Sequence, residues 1–340
     1  MLPSDLTPDQ TAALAALLDT LPTENAKVVA DLMTAATVFA AEPHEELDIK
    51  ITASALSEMH DAFEMFRPYR GFRKVAVFGS ARTRPEDPLY AQAREVARRL
   101  AEHDWMVITG AGPGIMLAAM EGAGRENSFG VTIRLPWEGG ANRVIAGDSK
   151  LVSMKYFFTR KLMLIKESQG FICLPGGNGT MDETFELLTL TQTGKGAPVP
   201  IVFLDVPGST YWSSWRTTMA EQLADRGYID QHDLDLFVVT DSVDVAVAEL
   251  NRFYANYHSI RWVGDRMVIR HRQPISDADL EALNTGYADI LVNGSIERSG
   301  PMRPEVDDDD VVDLPRLVMP FDPRRAARLR SLIDVLNALV

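Results

Sequence analysis

The sequence is poor in cysteine, in positive charge and in long apolar runs, and each shortage removes a class of protein. A single cysteine, Cys173, in 340 residues leaves no internal disulfide to form. Its place in an apolar run ahead of Pro175 reads as a small buried hydrophobe. Lysine and arginine number 34 against 48 acidic residues, a formal charge of −14. Such a chain has no net attraction to a phosphate backbone, so nucleic acid is not an expected partner; a free mononucleotide needs only a local positive site. No stretch approaches the roughly 20 apolar residues of a membrane span. The start, Met1-Leu2-Pro3-Ser4-Asp5, lacks the basic residues of a signal peptide, and the expectation is a cytoplasmic protein without membrane contact. The histidines, His44, His60, His103, His232, His258 and His271, are scattered without ligand spacing, so neither a metal nor a cofactor is implied.

What is present is a change of hydrophobic period. From Thr7 to about Pro68 apolar residues recur at helical spacing, with Pro22, Pro43 and Pro68 as punctuation, which predicts a helical N-terminal extension over 1–70. From Lys74 short β-rich runs alternate with helices. Strands are predicted at Val75–Phe78, Met106–Thr109, Ser128–Ile133, Gly170–Leu174 and Val199–Leu204, and helices near 87–103, 113–126, 154–167, 180–193 and 210–226. Continuous apolar strands separated by helices predict an α/β fold over 71–254: a Rossmann-like, doubly wound parallel sheet with helices on both faces. Beyond about Tyr254 the pattern shifts to a small α+β appendage, 255–340. It is read as a hairpin around Gly264-Asp265, a helix from Ser276 to Tyr287, a strand from Leu314 to Met319 and a last helix from Pro323 to Leu339. The acidic run Asp307 to Asp310 reads as a solvated loop.

The richest stretch is Pro175-Gly176-Gly177-Asn178-Gly179-Thr180-Met181-Asp182-Glu183, joining a strand to a helix. Its glycines let the backbone approach a ligand closely, and the free N–H groups of the helix start make an anion site. Glu183, expected in the first helical turn, points a carboxylate over the same cavity. A second glycine turn, Gly110-Ala111-Gly112-Pro113-Gly114, looks like a dinucleotide fingerprint. The third glycine of that spacing would fall on Ile115, however, and no downstream ribose-binding acid is evident. Two glycine turns on one sheet suit a single compact ligand gripped from both sides; the plainer reading is that they only make tight turns.

PGGxGTxxE is the signature of the LONELY GUY (LOG) family of nucleotide phosphoribohydrolases, long mislabelled as lysine decarboxylases. Val77-Phe78-Gly79-Ser80-Ala81, Thr109 to Met116, Met154 and Thr159-Arg160-Lys161 fit that family's pattern in order, so that the chain resembles it over about 72–230. The resemblance implies that Arg160 and Glu183 are the catalytic pair. It implies that Ser80, Gly110, Gly112, Gly114, Met154, Lys161, Pro175, Gly176, Gly177, Gly179 and Thr180 bind substrate. On the residues alone, Ser80 also reads as a helix cap, Thr180 as an N-cap and Met154 as core. Glu186 either perturbs Glu183 or faces solvent. Arg134 and Arg143 flank Pro136 to Gly140, a loop placed to close over the site.

The implied reaction is hydrolysis of the N-glycosidic bond of a nucleoside 5′-monophosphate, AMP or a related purine or cytokinin riboside monophosphate, giving free base and ribose 5-phosphate. Positive charge develops on the ribose as negative charge grows on the base, and a carboxylate and a guanidinium meet these two needs. The alternative is a non-catalytic binder of nucleotide or phosphorylated cofactor, similar to molybdenum-cofactor carriers. A pyridoxal-phosphate decarboxylase would need a Schiff-base lysine to which no segment points. The family resemblance also implies a homodimer whose sites borrow residues from the partner.

Overall fold

The computed structural model describes residues 6–21, 25–135 and 140–340, in two compact units, Met1–His60 and Asp61–Val340. The first is helical: α1 (Pro8–Leu18), α2 (Ala26–Ala41) and most of α3 (Glu46–Phe66). Thr7 and Gln10 close a reciprocal capping box at the start of α1, with Pro8 at its first helical position.

The second unit opens with β1 (Lys74–Phe78), α4 (Pro88–Ala101), β2 (Met106–Thr109), α5 (Ile115–Ala123), β3 (Ser128–Ile133) and β4 (Leu151–Met154). It continues through α6 (Phe157–Lys166), β5 (Gly170–Cys173), α7 (Asn178–Gln192), β6 (Ile201–Leu204), α8 (Tyr211–Met219), β7 (Val238–Thr240) and α9 (Val243–Arg252). The seven strands form one sheet in the order β4-β3-β2-β1-β5-β6-β7, every pair parallel. All residues of β1, β2, β5 and β6 are buried, as a sheet covered on both faces requires. The strand order reverses between β1 and β5, so their carboxyl ends splay into the crevice where such folds take ligands. At the opposite ends of the same strands, Gln169 locks the pair: its N–H donates to Lys74 O at 2.7 Å and its Oε1 accepts from Lys74 N at 2.9 Å.

The chain then forms β8 (Tyr257–Val263), β9 (Arg266–His271), α10 (Asp277–Gly286), β10 (Glu297–Ser299), α11 (Arg303–Asp307), β11 (Arg316–Met319) and α12 (Ala326–Asn337). The four strands make an antiparallel sheet, β10-β11-β9-β8. Gly264, at φ 62°, supplies the turn between β8 and β9. One apolar core runs from Val75 and Val202 through Val247, Leu250 and Phe253 to Ile269, Leu317, Leu332 and Leu336.

Several expectations need correction. Strand β4 and the β7–α9 unit were not anticipated; β4 and β7 are three- to four-residue edge strands too short to show a period. The helix expected from 154 begins at Phe157, because Val152–Met154 pair with Val131–Ile133. The acidic run is solvent-exposed at Asp307, Asp308 and Asp309, as expected, but it is also paired: Arg261 binds Asp308 and Asp310 at 2.5 and 2.6 Å, and Arg270 binds Asp310 at 2.6 Å. Behind it, fully buried Glu305 takes Arg270 at 2.7 Å and Arg316 at 3.1 Å.

Candidate active site

Three turns meet at the crevice. After β1 comes Gly79-Ser80; after β2, the 110–114 turn; after β5, the 175–179 turn. Backbone hydrogen bonds fasten them together: Ser80 N donates to Pro175 O at 3.2 Å, and Ile115 N to Ser80 O at 3.0 Å. Gly114 has φ 66°, and a Cβ there would lie 2.3 Å from Ser80 O, so two loops approach more closely than any other residue allows. Ala111 also adopts positive φ, 58°. Thr109 Oγ1, accepting from its N–H at 3.0 Å, holds it there, a local strain of the kind that preformed sites carry.

Helix α7 begins at Asn178 with Gly177 as its cap, and no side chain caps it. This corrects two expectations. Thr180 is the third helical residue rather than the N-cap, and Glu183 lies in the second turn rather than the first. Gly177 is the more telling residue: its φ is −90°, open to any amino acid, and a Cβ at Gly177 or Gly179 would meet nothing within 4 Å. The fold does not demand glycine at either position; the space over the loop is clear for a ligand. Tyr211 at the head of α8 holds the loop from behind, its hydroxyl donating to Gly176 O at 2.6 Å. Sequence patterns gave no signal for this residue.

Arg160 rises from the first turn of α6 and Glu183 from α7, with Nη1 and Oε1 3.9 Å apart and both side chains largely buried. Arg160 Nε donates to Val131 O at 3.0 Å, which aims the guanidinium across β3. A Cβ on Gly110 would fall 2.0 Å from Arg160 Nη2, so this glycine makes room for the guanidinium. Met116 is packed against the same turn, its sulfur 2.9 Å from that Cβ position and its methyl 2.6 Å from one on Gly112. Burial pushes the Glu183 carboxyl up to about 7, against the opposing pull of Arg160 and then Lys161, with Asp182 and Glu186 pushing the same way as burial. Glu183 Oε2 is buried with no hydrogen-bond partner among the described residues.

Lys161 turns toward α7, where its ammonium meets Asp182 at 2.8 Å and Glu186 at 2.9 Å. Burial works against that charge, yet the hydrogen bonds to Asp182 and Glu186 raise its pKa overall. An amine so held does not make a Schiff-base nucleophile, which needs the opposite shift. Ser80 Oγ accepts from Arg82 N at 3.1 Å. Met154 ends β4, fully buried. Pro175 and Gly176 lie in the loop, where a Cβ on Gly176 would sit 2.0 Å from Thr180 Oγ1. Cys173 is buried beneath Glu183, and burial pushes its thiol up to about 12. Arg143 pairs with Glu121, and Arg134 donates to Ser153 O at 3.0 Å. The loop between them lies, at residues 136–139, outside the described residues.

A family model described as "Possible lysine decarboxylase" matches residues 114–250. The cytokinin riboside 5′-monophosphate phosphoribohydrolase of Mycobacterium marinum is 30% identical over 176 residues, covering 51% of this chain and 90% of that protein. An Arabidopsis thaliana enzyme of the same name is 26% identical over 160 residues, 46% of this chain and 73% of that protein. A solved molybdenum cofactor carrier protein from Chlamydomonas reinhardtii is 21% identical with a TM-score of 0.37, covering 53% of this chain and 97% of its own; so loose a superposition carries no functional weight. About half of the chain lies outside the part shared with these relatives. On the identity to the mycobacterial enzyme, nearly all of which is spanned, the chain belongs to the LONELY GUY (LOG) family.

Proposed function

We propose that this site hydrolyses the N-glycosidic bond of a nucleoside 5′-monophosphate, AMP or a related purine or cytokinin riboside monophosphate, releasing free base and ribose 5-phosphate. The observation that carries the proposal is the Arg160–Glu183 pair, 3.9 Å apart, beside a glycine loop whose Gly177 and Gly179 face open space. The 5′-phosphate lies on the N–H groups at the start of α7, where the helix dipole favours an anion. Binding energy gained there, away from the bond that breaks, orients the ribose. Ionised Glu183, with Oε2 unpartnered, accepts a hydrogen bond from a ribose hydroxyl or the attacking water and balances the positive charge developing at C1′. Arg160, too weak an acid to give up a proton at neutral pH, stabilises the negative charge on the departing base through hydrogen bonds. Lys161 neutralises the two carboxylates flanking Glu183 and keeps α6 against α7.

The protein works, in this reading, as a cytoplasmic homodimer. Helices α6 and α7, which carry the pair, expose Phe157, Phe158, Leu162 and Phe185, a larger apolar surface than scattered single residues leave. A Phe158→Asp variant is expected to sediment as a monomer where the parent sediments as a dimer. The activity itself is tested by incubating the protein with a panel of nucleoside monophosphates and following free base and ribose 5-phosphate by chromatography. Release of both products from at least one monophosphate supports the hydrolase. Tight binding without turnover across the panel replaces it with a nucleotide carrier.

A further inference from the structure

At the end of the sheet opposite the glycine loops, two arginines and a histidine gather, and among the described residues the arginines have no carboxylate ion pair. Arg73 precedes β1, and Arg272 follows β9. Both are built onto Tyr254: Arg73 lays its guanidinium 4.5 Å from the ring centroid and 5.8 Å from that of Trp105, and Arg272 Nε donates to Tyr254 O at 3.3 Å. The Tyr254 hydroxyl donates to Gln169 O at 2.7 Å, tying the platform to the start of β5. His258 in β8 lies within electrostatic reach of both arginines, with Nδ1 2.9 Å from Ser259 Oγ.

Among the described residues neither Arg73 nor Arg272 forms an ion pair with a carboxylate, although the chain carries 48 acidic residues against 34 basic ones. The carboxylate that acts on the group, Asp310, is already engaged by Arg261 and Arg270. The mutual repulsion leaves its mark on the titration of the group. Burial and then Arg272 lower the Arg73 pKa. Burial and then Arg272, Arg270 and Arg73 lower that of His258, with Asp310 opposing. Like charges gathered on a rigid aromatic platform cost stability unless an anion joins them. Arg272 is exposed and Arg73 and His258 half-buried, so solvent-borne ligands reach them.

We propose that Arg73, Arg272 and His258 form a second anion site, which takes a small ligand bearing a phosphoryl or pyrophosphoryl group. Two guanidiniums supply the paired donors that phosphate oxygens match best, and the imidazole adds a third. The site is separate from the glycine loop: the five residues of β1, at about 3.3 Å each, put about 16 Å between the two.

The test is a titration of the full chain with inorganic pyrophosphate, with phosphate, and with acetate as a carboxylate control, read at the His258 imidazole by ¹H–¹³C NMR. Six histidines keep the spectrum simple, and the His258 signal is assigned by its loss in His258→Gln. Pyrophosphate or phosphate is expected to shift the His258 signal saturably and to raise its midpoint of titration. Arg272→Gln should weaken that binding by about tenfold or more, the loss of a charge-assisted hydrogen bond, while Arg272→Lys retains part of it. Phosphate bound only at the glycine loop leaves His258 unmoved. That result overturns the proposal, as does a response to acetate equal to that of pyrophosphate, or an undiminished response in Arg272→Gln whose circular dichroism matches the parent.

Discussion

Replacing Glu183 by glutamine should stabilise the protein in alkaline solution while removing its activity. Glu183 is buried beside Arg160, and burial outweighs that cation, lifting the carboxyl from the ordinary 4.5 to about 7. Across this window the folded protein holds the proton more tightly than the unfolded chain, so stability falls as pH rises and the loss is complete above about 7. At about 1.4 kcal/mol per tenfold difference, the full penalty of ionising Glu183 in the fold is about 3 kcal/mol. Glutamine keeps the shape and carries no charge. Its advantage over glutamate should therefore grow by about 2 kcal/mol between pH 5.5 and 8.5, whatever constant offset the amide introduces. For a unit of this size that is a widening of roughly 4–8 °C between the two thermal midpoints. The assay is thermal unfolding of both proteins at the two pH values, without nucleotide. A constant offset, or an advantage that shrinks as pH rises, would refute the reasoning and place Glu183 in a wetter or better-paired setting. The trade is the usual one of a site held ready at the expense of stability.

The two kinds of glycine in the loops should part company. Gly177→Ala meets no neighbour within 4 Å and needs no unusual φ, so its thermal midpoint should stay within about 1–2 °C of the parent, as for a substitution worth about 0.5 kcal/mol, while KM for a monophosphate rises. Gly114→Ala, with φ 66° and a backbone oxygen 2.3 Å from the new Cβ, should lose about 2 kcal/mol or more of stability. Equal effects of the two on unfolding would remove the argument that Gly177 makes room for ligand. Lys161→Met removes a cation that lowers the Glu183 pKa and leaves Asp182 and Glu186, which raise it, without their partner; both effects act in one direction. With Glu183 as the proposed catalytic carboxylate, the acid limb of kcat/KM is expected near 7 in the parent and at higher pH in this variant; a move to lower pH would contradict the assigned electrostatics.

Much of the sheet was legible because parallel strands buried on both faces announce themselves. Val75–Phe78, Met106–Thr109 and Gly170–Leu174 are apolar without alternation and lead into glycine turns, and the strands lie where that pattern put them. The candidate site was legible for a related reason: Arg160 stands out in an apolar helix, and PGGxGTxxE confines the loop, the helix start and Glu183 to nine residues. What could not be read was set by tertiary contact. Met154 looks helical beside Phe157 and Phe158, but pairing with Ile133 takes it into β4. The acidic run faces solvent at Asp307 to Asp309, yet the ion pairs of Asp310 with Arg261 and Arg270, 49 and 40 residues away in the sequence, leave no local signal. Gly177, not Thr180, caps α7, since no side-chain hydrogen bond competes for a place that the loop keeps open. Tyr211 anchors Gly176 from the head of α8, 35 residues downstream, a contact that carries no periodicity to detect.

The most direct measurement compares AMP with adenosine under matched conditions, in the parent, Arg160→Ala and Glu183→Gln, following free adenine. The account predicts release from AMP alone, with kcat in each variant reduced by at least about a hundredfold, the scale of removing one group that stabilises developing charge. Equal release from adenosine would contradict the phosphate-gripping role of the glycine loop, and undiminished release in either variant would contradict the catalytic pair.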